Sequence, residues 1–394
     1  MKVVLVYCWK AVSEPAILKV MKCMGIKVVI LDSPMKDYHA DADFAQKCMR
    51  LIREKAVNII FSYDYFPLLS MIAETLKLPY ISWIYDCPMY TLLSRTMCSL
   101  YNYIFCFDYQ YALRLKESGG RNVYHFPLGT DVQGFEEIIL GADEEKKQDY
   151  KCDISFVGNF YNDENNLYRK ITFEPYVGGY LEGIIAAQQK VYGYNLLRET
   201  LCENFISEII SKCDIKLSEF YSYSERELAV DVLGKEVSAR EREEVLYCLG
   251  HRYSVDIYTG AELPERLKKC KGIHNRSKAD YQQEMPIIFR ESKVNLNITS
   301  KTIETGISQR VLDILACGGF CLTNYQKEIA DYFEDGKELV MYTDMKDLME
   351  KAAYYLVHDE ERKQIAFAGQ GKVREFFDIH KRVRELFSCI DALN

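Results

Sequence analysis

Residues 306–323 read GISQRVLDILACGGFCLT. The stretch reads as a short buried helix followed by a strand, opened by a Gly-Ile-Ser cluster and closed by Gly318-Gly319. Before it stand KVNLNIT (293–299), a strand, and the loop SKTIETGIS (300–308), so the helix begins at the carboxyl end of a strand. The free N–H groups at a helix start, with the partial positive charge of the macrodipole, form an anion site. Gly306 lets a diphosphate approach the backbone, and Arg310 in the first turn offers a charge-assisted fork to a phosphate. Asp313 lies three residues on and nearly on the same face, where a carboxylate accepts the two vicinal hydroxyls of a ribose. Backbone, cation and carboxylate together suit a nucleoside diphosphate. A second reading stays open: Arg310 and Asp313 at i,i+3 also make a plain helix salt bridge.

Outward from this stretch the chain alternates in the same way. Short apolar runs at 2–8, 27–31, 57–62, 80–85, 103–107 and 122–126 are separated by segments with helical periodicity, such as 14–25 and 43–56. That alternation predicts a parallel sheet covered on both faces. No G-x-G-x-x-G follows the first strand, which argues against a dinucleotide there. A second start comes at CDISFVGNF (152–160), after the charged stretch GADEEKKQDYK (141–151), which reads as a linker. Residues 164–250 are almost entirely helical in pattern, and βα alternation then resumes with strand 253–259, helix 281–292, strand 293–299 and strand 320–324. Helices are expected at 345–357, 359–370 and 379–390.

The fold class is therefore α/β, with two Rossmann-like doubly wound domains and a helical insertion in the second. The expected limits are 1–145 and 152–375, with the insertion at about 164–250 and the C-terminal helix, about 376–394, free to pack back on the first domain. In open α/β sheets ligands bind at the carboxyl ends of strands, and the cleft between two such domains is the default site.

Bulk properties exclude several classes. The 394 residues exceed what one core usually serves, and 48% apolar with 27% charged residues is ordinary globular composition. A net charge of −8 argues against a nucleic-acid partner. None of the fourteen cysteines forms a C-x-x-C pair, which fits small buried thiols in a reducing cytosol rather than zinc ligands or disulfides. The N-terminus lacks signal-peptide features and no apolar run reaches about 20 residues, so the expectation is a cytoplasmic protein with no transmembrane segment.

The sequence also resembles a known family. DILACGGFCLT looks like the E-A-M-A-C-G-x-P-V motif of nucleotide-sugar glycosyltransferases with the GT-B fold, and GISQRVLDILACGGF is similar to the hallmark of the spore-maturation-type members. YISWIYDCP (80–88), FCFDYQY (105–111), HFPLGTD (125–131), DISFVGN (153–159), 281–299 and 355–373 resemble further signature stretches in the right order. The resemblance implies a transferase that moves a sugar from a nucleoside diphosphate, such as UDP, to a glycan or protein acceptor. It implies no cofactor beyond the donor and no essential metal. Where the broader superfamily carries E-x(7)-E, Asp313 fills the second, ribose-binding position, while Thr305 stands at the first with Glu304 beside it. The ribose role carries over and the role of the first Glu does not, so retention or inversion at the anomeric carbon is open.

The donor-binding set on this reading is Gly158, Asn159, Arg276, Tyr281, Glu304, Thr305, Gly306, Ile307, Ser308, Arg310 and Asp313. Gly158 either admits a phosphate or makes a tight βα turn. Arg276 and Tyr281 fall near the nucleotide base by analogy with the fold, with Tyr281 as a stacking partner, or else sit in a solvated loop. Arg310 and Asp86 are the catalytic candidates: Arg310 stabilises the leaving diphosphate, and Asp86, at the end of strand 80–85, acts as base on an acceptor hydroxyl if burial raises its pKa. The competing reading of Asp86 is a turn residue before Cys87-Pro88. Asp108 reads as an N-cap, and Asp41 and Asp43 as helix-capping carboxylates rather than a metal-binding D-x-D pair. The insertion has three uses open to it: an acceptor site, a homodimer interface, or packing on its own domain. Rival functions are a non-catalytic nucleotide-sugar-binding scaffold and a nucleotide-sugar epimerase.

Overall fold

Two six-stranded parallel sheets organise the computed structural model, which describes residues 2–213 and 224–393. The first contains β1 (Val3–Tyr7), β2 (Lys27–Leu31), β3 (Ile59–Tyr63), β4 (Tyr80–Ile84), β5 (Asn102–Cys106) and β6 (Val123–His125) in the order β2-β1-β3-β4-β5-β6. The second contains β7 (Cys152–Val157), β8 (Val255–Tyr258), β9 (Ile273–Asn275), β10 (Ser292–Asn297), β11 (Cys321–Asn324) and β12 (Val340–Tyr342) in the order β12-β11-β10-β7-β8-β9. The expected doubly wound α/β fold is what the chain forms.

Strand order locates the two places where a ligand crevice opens. In each sheet the winding direction reverses beside the first strand, between β1 and β3 in one and between β7 and β10 in the other. Loops leaving the carboxyl ends of such a pair run in opposite directions and leave a gap. Residues after Tyr7 and Tyr63 face one gap. Residues after Val157 and Asn297 face the other.

Among the described residues, one compact unit is built from the chain up to Asp131 together with Phe377 onward, and the other from Val132 to Phe376. The helix Val132–Gly141, expected in the first domain, lies in the second unit, where Phe135 meets Tyr281 edge to face at 5.8 Å. The expected linker 141–151 holds a helix, Glu144–Asp149, and Tyr150 donates to Glu284 at 2.9 Å. The C-terminal helix Ile379–Leu393 sits in the first unit, fastened by Ile379 N–H to Thr130 carbonyl (2.9 Å) and Lys2 to Asp391 (2.5 Å).

The buried strands are β-branched and aromatic, and β1, β3 and β4 are buried at every position. β10 departs from this by carrying Asn295 and Asn297 inside the sheet. Each is satisfied: Asn295 accepts from Ser155 (2.9 Å) and donates to the Phe289 carbonyl (2.9 Å), and Asn297 donates to Thr323 (2.8 Å). Buried amides held this way fix the register of neighbouring strands.

The insertion forms the helices Pro175–Gln188, Leu196–Thr200, Glu203–Lys212 and Glu225–Gly250; residues 214–223 lie outside the described residues. It has an apolar core of its own, including Leu181, Ile185, Leu197, Ile206, Ile209 and Leu233. The helix expected over 281–292 begins only at Met285, because Asp280 caps a preceding turn through Gln282 and Gln283 N–H (2.9 and 2.7 Å) and Pro286 takes a first-turn position. β9 and β12, of three residues each, fell below what periodicity reveals.

Candidate functional site

The helix Gln309–Ala316 starts at the carboxyl end of β10, with Ser308 as an extended N-cap residue (φ −65°, ψ 144°) whose side chain does not cap it. The Ser308 hydroxyl turns instead toward Asn297 Oδ1 at 3.5 Å. The cap carbonyl takes the Val311 N–H at 3.1 Å, and the helix starts beside the β7/β10 winding reversal. Ile307 is a core residue at 1% exposure.

Asp313 is the buried acid of the site, 1% exposed. Its carboxylate accepts from Gln309 Nε2 (2.7 Å) and from the Tyr281 hydroxyl (3.2 Å to each oxygen). Arg310 Nη1 stands 3.8 Å away, so the helix pair is made, but loosely. The Arg310 guanidinium also lies over the Phe289 ring, 5.5 Å from its centre. Tyr281 thus meets the site through its hydroxyl, with its ring edge against Phe135.

The loop before this helix is fastened on two sides. Thr305 donates to Glu328 (2.7 Å), and its carbonyl accepts the Glu328 N–H (3.0 Å). Glu304 turns the other way, to Arg198 Nη2 (2.8 Å) and Nε (3.2 Å), and Arg198 also forks onto Glu227. Gly306 follows directly, buried at the mouth of the helix.

On the β7 side, Gly158 N–H donates to the Tyr258 carbonyl at 3.1 Å, and a Cβ at Gly158 would come within 2.9 Å of the Phe156 ring. Asn159 is exposed; its side chain accepts the Tyr161 N–H (2.9 Å) and its carbonyl accepts from Arg242. Arg242 also donates to the Ile298 carbonyl at 2.7 Å and lies under the Tyr161 ring at 4.5 Å. One buried guanidinium therefore ties the ends of β7 and β10, and the sequence reading did not single it out. Arg276 pairs with the buried Asp256 of β8 (2.8 Å), and its N–H extends the ladder to Ile257, so the structure uses it to anchor the 276–280 loop.

In the first unit, Asp86 follows β4. Its N–H and that of Tyr85 both donate to Asp64 Oδ1, at 2.9 and 2.8 Å. Asp64 is 1% exposed, follows β3 at the β1/β3 gap, and holds φ at 58°, a left-handed conformation unusual for a residue with a side chain. Burial, and then the nearby Asp86 charge, push the Asp64 carboxyl up to about 7. Burial raises Asp86 as well. The sequence points to Asp86 and not to Asp64, although SYDYF has the same strand-end aspartate as WIYDCP. Asp41 and Asp108 cap their helices through Phe44 and Tyr111 N–H (3.0 and 2.8 Å).

Asp64 carries a pH prediction. Its native pKa, about 7, lies above its ordinary 3.8, so between about 4 and 7 the folded state holds more protons than the unfolded one. Stability is lost as pH rises through that window. Asp64→Asn keeps an acceptor for both N–H groups, tolerates the left-handed backbone and cannot ionise. The melting temperature of the variant, minus that of the wild type, is expected to climb from pH 4 to pH 8. A flat difference would show that Asp64 does not titrate in this range.

Residues 228–388 match the model of a family described as glycosyl transferase-like. A search of curated proteins finds no significant match. Among solved structures, HepE of Anabaena in complex with UDP-glucose aligns over 100% of both chains at 9% identity with TM-score 0.58. Sucrose-phosphate synthase of Thermosynechococcus elongatus aligns over 100% of both at 8% identity and TM-score 0.59. The UDP-forming α,α-trehalose-phosphate synthase of Burkholderia vietnamiensis aligns over 99% of both at 12% identity and TM-score 0.52. The chain thus has the GT-B fold, and its residues 228–388 are similar to the glycosyl transferase-like family. Among the described residues no helix is long and apolar enough to cross a membrane, and no group of three or more His, Cys, Asp or Glu is placed to hold a metal ion.

Proposed function

We propose that the protein transfers a sugar from a UDP-sugar to a glycan or protein acceptor. The observation that carries this reading is the buried Asp313 carboxylate, ringed by Gln309, Tyr281 and Arg310 at the start of a helix beside the winding reversal of its sheet. A carboxylate already accepting from neutral donors exchanges them for a ribose diol at little cost. The helix-start N–H groups behind Gly306 and Ser308 take the diphosphate, with Gly158 and Asn159 on the opposite side of the gap. Arg310 and the helix dipole stabilise the leaving UDP, which needs no metal ion. HepE is in complex with UDP-glucose, and the trehalose-phosphate synthase is UDP-forming.

Asp86 is the proposed base on the acceptor hydroxyl. Burial raises its pKa above the usual carboxylate range, which favours proton uptake. Asp64 fixes the peptide that carries it. Among glycosyltransferases, the motif likeness favours the spore-maturation type, acting in the cytoplasm.

Thermal shift against UDP, GDP, TDP, CDP and ADP, each with and without magnesium, is the first test. A ligand that binds only the native state raises the melting temperature by mass action. A shift with UDP in the absence of magnesium is the expected result, followed by UDP release from UDP-glucose when an acceptor is present. No shift with any nucleotide would sink the reading. Binding without turnover against any acceptor would make the protein a nucleotide-sugar-binding scaffold.

A further inference from the structure

The helical insertion shares one apolar core among its own helices, yet its polar side chains converge elsewhere, on the loop between β10 and the helix Gln309–Ala316. The contributing residues of the long helix Glu225–Gly250 are Glu227, Gly234, Ser238, Glu241 and Arg242, spaced to fall near one face of the helix. Ser238 Oγ donates to the Gly234 carbonyl (2.7 Å), accepts the Lys301 N–H (2.8 Å) and meets the Ser300 hydroxyl (3.1 Å). Lys301 runs back under the insertion, its ammonium 3.5 Å from Glu241, 3.2 Å from the Val191 carbonyl and 3.7 Å from the centre of the Tyr192 ring. Arg198, between Glu227 and Glu304, holds the loop one turn further on. At Gly234 a Cβ would stand 3.2 Å from Thr302 Cγ2, so helix and loop are in close contact.

These contacts cover successive parts of one short segment. Ser300, Lys301, Thr302 and Glu304 are gripped from the insertion. Ile303 and Thr305 are held from the other side by Gln326 (3.1 Å) and Glu328 (2.7 Å). The segment ends at Gly306, where the proposed diphosphate site begins. Ordering a residue costs backbone freedom. A loop ordered only on donor binding would lose affinity for each residue fixed. A loop fixed beforehand does not.

We infer that the insertion is a clamp that holds the 300–306 segment in its donor-binding conformation, with Arg198 and Ser238 as positioning residues. The inference rests on the donor-site reading above. Loss of the clamp lowers the fraction of molecules that are competent to bind and leaves the bound site intact, so apparent affinity falls by that fraction while the chemical step does not.

Three variants and two readouts test this in the full chain. Arg198→Gln removes the charge between Glu227 and Glu304, and Ser238→Ala removes the acceptor of the Lys301 N–H. Hydrogen exchange needs no nucleotide: amides of 301–306 are expected to exchange about tenfold faster in either variant, with β7 and β10 amides unchanged. With nucleotide, the donor KM and the UDP Kd are expected to rise about tenfold while kcat at saturating donor stays within about threefold. Arg198→Lys, which keeps the charge, is expected to recover most of the loss. Unchanged exchange at 301–306, or a fall in kcat with KM unmoved, would overturn the clamp. If Arg198→Gln loses protection throughout the second unit, Ser238→Ala alone decides, by the same criteria. If wild-type protein binds no nucleotide while loop exchange responds as expected, the clamp stands as a feature of the loop and the donor reading falls.

Discussion

Asp313→Ala is expected to raise the UDP dissociation constant by about 10- to 100-fold, equivalent to about 1.5–3 kcal/mol, the scale of hydrogen bonds to a charged group. The effect has two parts. The ribose loses its acceptor, and the Tyr281 hydroxyl and the Gln309 amide lose the partner that orients them at the helix start. Asp313→Asn separates these parts, because its amide oxygen still accepts one of those donors while the charge is gone. It is expected to fall between alanine and wild type. Tyr281→Phe removes only a neutral donor and is expected to cost about 1 kcal/mol or less in UDP affinity. Calorimetric titration with UDP checks all three. A dissociation constant in Asp313→Ala equal to that of the wild type would remove the ribose assignment and leave the Arg310–Asp313 pair as a helix salt bridge.

Gly319→Ala is expected to destabilise the second unit by about 3 kcal/mol or more, read as a fall in the denaturation midpoint. A Cβ on this residue would sit 2.5 Å from the Phe289 carbonyl and 2.7 Å from Asn295 Nδ2. Neither atom can retreat cheaply: the first is backbone, and the second is the amide that donates to that carbonyl inside the sheet. Gly318 beside it holds φ at 69°, which turns the chain from helix into β11. Gly371→Ala is the control. It lies within the helix Asp359–Phe376 with open space around its Cβ direction, so alanine there is expected to be neutral or stabilising by about 0.5–1 kcal/mol. Equal effects at the two positions would show that close approach at Gly319 is not what requires glycine.

Much of this architecture was legible because its signals are local. Buried strands such as KVVLV and YISWI are continuous apolar runs, and the helix that starts after β10 carries its glycines and its acid in the sequence itself. What stayed hidden depends on chain segments far apart. Arg242 reads as one of several charged residues in AREREEVL, and only the fold carries it to the Asn159 and Ile298 carbonyls. Glu304 stands next to a donor-site motif, yet its partner Arg198 lies in the insertion. Arg276 reads locally as a base-side cation or a solvated loop residue, because nothing near it in sequence shows its partner Asp256 in β8. Asp64 shares its strand-end position with Asp86, but its left-handed backbone and the two N–H groups it accepts belong to tertiary structure.

The insertion separates β7 from β8, although these strands are register neighbours, with Ile154 beside Val255. A contact between such distant residues is slow to form when the intervening chain is a loose coil, because closing the loop must precede any gain from pairing. Here the intervening helices bury Leu181, Ile185, Ile206 and Leu233 among themselves. Their compaction shortens the effective loop before the strands meet. The expected order of events is helices first, then the β7–β8 pair, then the other strands of the second sheet. The segment that holds the β10 loop in the finished protein would then also be the one that brings the sheet within reach of closing.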